Sequence, residues 1–167
     1  MRTKPVLVIL AAVMAFLVGS MAVYRWHAAK QPELCQMCGR GISKQTAFRI
    51  ETAHGTLFAC CPRCALHHVI NYPGKARKEL ATDFNSGHLI SAQSAYYDEG
   101  GDVQYCTAHD SPMERTTLGV QMRTYDRCLP TLVAFATQDE AEAYRKQHGG
   151  RVVTYNEALE DTAGKPR

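Results

Sequence analysis

Five of the chain's seven cysteines and three of its seven histidines fall between Cys35 and His68. They read Cys35-Gln36-Met37-Cys38-Gly39, and then Cys60-Cys61-Pro62-Arg63-Cys64-Ala65-Leu66-His67-His68. Thiolates are soft donors. Two close Cys-x2-Cys pairs suit a tetrahedral ion, because each short loop offers two sulfurs to one centre. Cys35, Cys38, Cys61 and Cys64 are therefore the expected ligands, with Cys60, His67 and His68 as alternates. Gly39 permits the tight backbone of a zinc-knuckle turn. A thioredoxin-type motif would need a strand before the first pair and a helix directly after it, and neither pattern is present.

A second group of soft donors lies downstream: Cys106, His109, Met113 and Cys128, with Met122 nearby. Thiol, imidazole and thioether in one loop suit Cu(I). The same residues also read as a Cys106–Cys128 disulfide closing the loop, with methionines filling gaps. No Gly-x-Ser-x-Gly, phosphate loop or paired-carboxylate motif accompanies them, so catalysis is not expected.

The elements that must position these groups are legible from periodicity. Residues 47–51 and 56–60 alternate around Thr-Ala-His-Gly, a β-hairpin pattern. Pro62 fits the first position of a helix running to Tyr72 and stopping at Pro73-Gly74. On that helix Cys64, His67, His68 and Asn71 share one face, opposite an apolar stripe of Ala65, Leu66, Val69 and Ile70. Its N-terminal dipole is expected to favour thiolates at Cys61 and Cys64. Residues 80–84 read as a third strand. The pattern then recurs: strand-like segments at Tyr96-Tyr97 and 103–106, a strand over 132–136, a capping box at Thr137–Glu140, a helix ending at Gly149-Gly150, and a strand over 151–155. The insert over 107–127 reads as a long loop, and 158–167 as a polar tail. The expected architecture is α+β: an anchor and linker over 1–30, a Cys-rich ββαβ unit over 31–90, and a second ββαβ unit over 91–160.

Val6 to Tyr24 carries no charge and at the helical rise spans about 28 Å, enough for a bilayer's hydrocarbon core. An uncleaved signal anchor is the expectation, with the remaining chain outside the cytoplasm. The charge balance is nineteen Lys and Arg, with Arg2 and Lys4 ahead of the apolar run, against sixteen Asp and Glu. The exported part is nearly neutral and offers nucleic acid no electrostatic footprint. Seven cysteines is an odd number, so a framework of intrachain disulfides cannot use them all.

The stretch Asp83-Phe84-Asn85-Ser86-Gly87-His88-Leu89-Ile90-Ser91-Ala92, followed by Ala95-Tyr96-Tyr97, resembles the NosL family of nitrous oxide reductase accessory proteins. So do Pro130 to Ala136, Ala141-x-Ala143-Tyr144 and His148-Gly149-Gly150-Arg151-Val152. The resemblance implies two related ββαβ units in an extracytoplasmic, membrane-tethered Cu(I)-binding protein that supplies copper to an exported enzyme such as nitrous oxide reductase. Zinc is the alternative metal. A structural zinc module of an anchored scaffold and an exported thiol oxidoreductase or mercury-handling protein are the alternative functions.

Overall fold

The computed structural model describes residues 12–23, 32–103, 105–106, 113–116, 119–122 and 126–164. Two compact units divide it, Met1–Gln31 and Pro32–Arg167. In the first, residues 12–23 are helical (α1), and their apolar side chains, Phe16 and Met21 among them, are exposed. No helix among the described residues is long and apolar enough to cross a membrane. The rest of the expected anchor, residues 6–11 and 24, lies outside the described residues.

Two of the antiparallel sheets in the second unit share one topology. β1 (Phe48–Thr52), β2 (Gly55–Ala59), α2 (Pro62–Asn71) and β3 (Ala76–Thr82) form the first ββαβ run, and β4 (Leu89–Ser91) adds an edge strand. Its strand order is β2-β1-β3-β4. β5 (Tyr96–Glu99), β8 (Leu132–Phe135), α3 (Gln138–His148) and β9 (Arg151–Thr154) repeat the run in the order β8-β5-β9. In both sheets the first strand of the run lies between the second and the third. The α+β class and the internal repeat are thus present in one compact unit.

The halves differ in the connection between their first two strands. β1 and β2 are joined by Ala53-His54, a tight turn closed by Gly55 at φ 132°. β5 and β8 are joined by residues 100–131, which carry a further antiparallel hairpin, β6 (Met113–Thr116) and β7 (Gly119–Met122). The expected long loop therefore contains strands. Among the described residues of 103–106, none is in a strand.

Two expectations need correction at the C-terminus and in α2. Tyr155–Thr162 is a helix, α4, where the expected strand over 151–155 ends and the polar tail over 158–167 was expected to follow; Thr154 and Glu157 form a full capping box at its start. Thr-x-x-Glu is a local signal for helix initiation, and burial of Tyr155 and Ala158 holds the helix to the body. In α2, Cys64 is fully buried alongside Ala65 and Leu66, while Val69 and Ile70 are half-buried. The polar face inferred from helical angle does not survive in the first turn, because β8 and α4 cover α2 as well as its own sheet.

One apolar core runs through both halves, uniting Phe48, Ile50 and Leu66 with Tyr97, Leu132 and Val153. Each such large side chain contributes about 1.5–3 kcal/mol on burial. The halves are also riveted by polar contacts. Arg63, nearly fully buried, bonds Glu99, the Pro130 carbonyl at 3.0 Å and Thr162 Oγ1 at 2.7 Å. Asp83 accepts the Ser86 and Ala136 amides at 2.9 Å each, joining the turn after β3 to β8. Six of the seven cysteines are buried in this core and Cys38 packs against its edge.

Candidate metal centre

Each cysteine reaches the centre by a different local device. Cys35 and Cys38 sit on the knuckle, where the Gly39 amide bonds the Cys35 carbonyl at 2.8 Å and the Cys35 amide bonds that of Arg40 at 2.7 Å. Gly39 has φ 74°, which side chains with a Cβ rarely adopt. The knuckle is pinned to β2: the Gln36 amide donates to Phe58 O, and the Phe58 amide donates to Gln36 Oε1 at 2.7 Å. Cys60 follows β2, and its carbonyl accepts the Thr46 hydroxyl at 2.9 Å. Cys61 is the N-cap of α2, extended at φ −157°, and Pro62 opens the helix at a position where its missing N–H costs nothing. Cys64 lies in the first turn. Cys106 and Cys128 stand near the two ends of the long β5–β8 connection.

All seven thiols are free. Two groups of four converge, each with its sulfurs within 4.8 Å of one another: Cys35, Cys38, Cys60 and Cys64, and Cys60, Cys61, Cys106 and Cys128. Individual Sγ···Sγ separations are 3.8 Å for Cys35–Cys64, 3.5 Å for Cys38–Cys60, 3.9 Å for Cys60–Cys61 and 3.8 Å for Cys60–Cys128. These are far too long for disulfides, which are about 2 Å. They match the edge of a tetrahedron of sulfurs around a metal at about 2.3 Å, which is about 3.8 Å. The donor set and its spacing fit a soft, thiophilic ion.

The grouping differs from the sequence expectation. Cys60, expected as an alternate, joins Cys35, Cys38 and Cys64. Cys61, expected beside Cys64, turns to Cys106 and Cys128. Adjacent residues at a strand-to-helix junction project in different directions, and spacing alone does not say which of a doublet faces which partner. The Cys106–Cys128 disulfide reading is replaced by two free thiols. Neither His67 nor His68 is in either group. His68 lines two surface cavities of 490 and 290 Å³, the smaller also lined by Met37 and Arg127. Burial lowers the basicity of both imidazoles, most simply at His68; at His67 the nearby Arg127 and Arg63 add to it. His109 lies outside the described residues. Met113 pairs with Met122 across β6 and β7.

Packed thiols share their protons unequally. At Cys35 the contact with Cys38 raises the pKa, but those with Cys60 and Cys64 outweigh it and bring the thiol down to about 6. Cys38 and Cys128 are also held low, each chiefly by Cys106. Cys60 is pushed up, first by Cys106 and then Cys128; Cys64 and Cys106 are pushed up, each chiefly by Cys128. The expectation that the helix dipole favours a Cys64 thiolate is thus reversed by its sulfur neighbours. Several thiolates buried together cost far more than they return unless a cation joins them.

Sequence reasoning missed one positioning group. Arg40, on the knuckle, donates to Asp126 through both guanidinium nitrogens, at 2.8 and 2.9 Å, and to the Cys106 carbonyl at 2.9 Å. Asp126 Oδ1 in turn accepts the Cys128 amide at 2.9 Å. Arg127 bonds the Met37 carbonyl at 3.1 Å. The knuckle thereby holds both ends of the long connection at the sulfurs. Arg40 lies two residues beyond the knuckle's second cysteine, but no local pattern names a partner 86 positions away.

No protein-family model matches the sequence. The chain is similar to the HTH-type transcriptional repressor CutR of Bacillus subtilis, with 25% identity over 130 residues. That match covers 77% of this chain and 57% of the repressor, so the chain spans little more than half the length of that relative. Among solved structures it is similar to the copper chaperone NosL from Shewanella denitrificans, with a TM-score of 0.53 and 18% identity over 78% of this chain and 95% of that one. The resemblance read from the sequence is matched in three dimensions: this chain has the fold of that protein.

Proposed function

We propose that the protein is a membrane-anchored, extracytoplasmic Cu(I)-binding accessory protein that holds copper on Cys35, Cys38, Cys60 and Cys64 and passes it to an exported copper enzyme. The observation that carries this reading is the convergence of buried, unpaired thiols at metal–thiolate spacing. The shared fold with a copper chaperone favours copper over other soft ions. Cys38 is the half-buried member, so it is the ligand an incoming acceptor thiol meets first. Transfer then proceeds by exchange, one Cu–S bond forming to the acceptor as the bond to Cys38 breaks. The uncharged run from Val6 to Tyr24 and the exposed apolar side chains of α1 support the anchor. The near-neutral exported part speaks against a nucleic-acid partner.

A structural zinc module is the second reading, favoured by the burial of six of the seven cysteines. Anaerobic metal analysis of the full-length protein decides between them. Cu(I) that moves to a competing thiol acceptor while the fold persists supports the accessory protein. Stoichiometric zinc that chelators remove only with unfolding overturns it.

A further inference from the structure

We propose that the seven cysteines form a single two-ion cluster in which the Cys60 thiolate bridges both metals. Two four-coordinate ions make eight metal–sulfur bonds, and seven cysteines supply them only if one sulfur serves twice. Cys60 is the one residue common to both groups. Its sulfur lies 3.5 Å from Cys38, on one side of the cluster, and 3.9 and 3.8 Å from Cys61 and Cys128, on the other. A thiolate sulfur has lone pairs enough for two metals, and sharing it buries less negative charge than two separate four-thiolate sites would. Cys60 is only 1% exposed, so its sulfur is withheld from solvent and from exchange with outside thiols.

The cluster assembles across the fold's repeat. Cys35, Cys38, Cys60, Cys61 and Cys64 come from the first half, whereas Cys106 and Cys128 come from the long connection of the second. The ligand class is a soft, closed-shell ion: Cu(I), Cd(II) or Zn(II). This inference rests on the metal-binding reading above but adds a count, a bridge and a second ion.

Cadmium is the probe. Full-length, reduced protein loaded anaerobically with Cd(II) is expected to hold two ions per chain by native mass spectrometry. Cadmium NMR with a spin-active isotope is expected to show two resonances with scalar coupling between them through the shared sulfur. Cys60→Ser is expected to lose one ion and the coupling. The double variant Cys106→Ser/Cys128→Ser is expected to keep one uncoupled ion. A wild type that holds fewer than two ions, or two uncoupled ones, overturns the proposal, and so does a folded Cys60→Ser that keeps both. The coupling in the wild type decides the matter even if the variants do not fold. Copper that binds but never transfers would overturn the accessory-protein reading and leave two coupled cadmium ions standing. Transferable copper with a single cadmium ion would do the reverse.

Discussion

Arg40 and Asp126 form a two-pronged ion pair, at 2.8 and 2.9 Å, that fastens the first knuckle to the segment delivering Cys106 and Cys128. Both side chains are more than four-fifths buried, and their remaining donors and acceptors reach the Cys106 carbonyl and the Cys128 amide. The pair is a device for position: it touches the backbone of two cysteines without being able to bind a soft metal itself.

Arg40→Met is therefore expected to cost about 2 kcal/mol of stability, since it leaves Asp126 without its charged partner. It should weaken metal binding at Cys61, Cys106 and Cys128 more than at Cys35, Cys38 and Cys64. Arg40→Lys keeps the charge but not the fork and should fall between. Thermal denaturation with and without metal, combined with metal titration of each variant, measures both effects. Equal loss at both groups would show that Arg40 acts on the fold alone.

Cys38 should be the first thiol to react in the metal-free protein. It is the half-buried cysteine, and its thiol is held low, chiefly by Cys106. A time course of alkylation read by peptide mass spectrometry should show Cys38 modified at least about 10-fold faster than Cys64, which is fully buried and pushed up. Bound metal should abolish the difference. Uniform labelling would mean that the knuckle opens as freely as the exposed surface.

Metal affinity should rise with pH through and above neutrality. Cys35, brought down to about 6, has already lost its proton at pH 7, so its proton competes with metal only in acid. Cys60, Cys64 and Cys106 are pushed up and must release protons when the ion binds. Competition titrations across neutral and alkaline pH should show the affinity climbing, with net proton release. A flat profile would contradict the proton sharing described for the cluster.

Asp98 provides a test of stability away from the metal centre. It is fully buried, and neither carboxylate oxygen has a hydrogen-bond partner among the described residues. Gly150, at φ 87°, packs so closely that a Cβ there would come within 2.8 Å of the carboxylate. Burial raises its pKa from 3.8 to about 6, with Arg145 and His148 opposing and Glu142 and Glu99 adding. A carboxyl raised in the folded state binds more protons folded than unfolded. It carries no penalty below about pH 4, and stability is lost as pH rises through the window to about 6. The full cost is about 3 kcal/mol. Asp98→Asn should remove this loss, so its stability relative to wild type should grow from pH 4 to pH 7 in denaturant unfolding. A difference independent of pH would contradict the assignment.

How much was legible in advance follows from the range over which each signal acts. Pro62 opening α2, the Thr137–Glu140 capping box and the turn at Gly39 are settled within a few residues, and each stands where its local pattern put it. Thr154-Tyr155-Asn156-Glu157 carries the same kind of signal within a polar C-terminal composition. The repeated strand, strand, helix, strand order was readable because alternation and helical period are local as well.

The sequence by itself determined that this protein gathers soft donors, since seven cysteines and two Cys-x2-Cys spacings are a chemical statement independent of fold. Only the tertiary structure decided the partners. Cys60 and Cys61 are neighbours in the chain, yet the junction between β2 and α2 sends Cys61 toward Cys106 and Cys128 and leaves Cys60 reaching both groups. Which sulfurs meet depends on a sheet, a helix and a connection of 32 residues returning to one point under the grip of Arg40 and Asp126. Contacts of that separation are made by packing and loop closure, and they leave no periodicity in the sequence to be read.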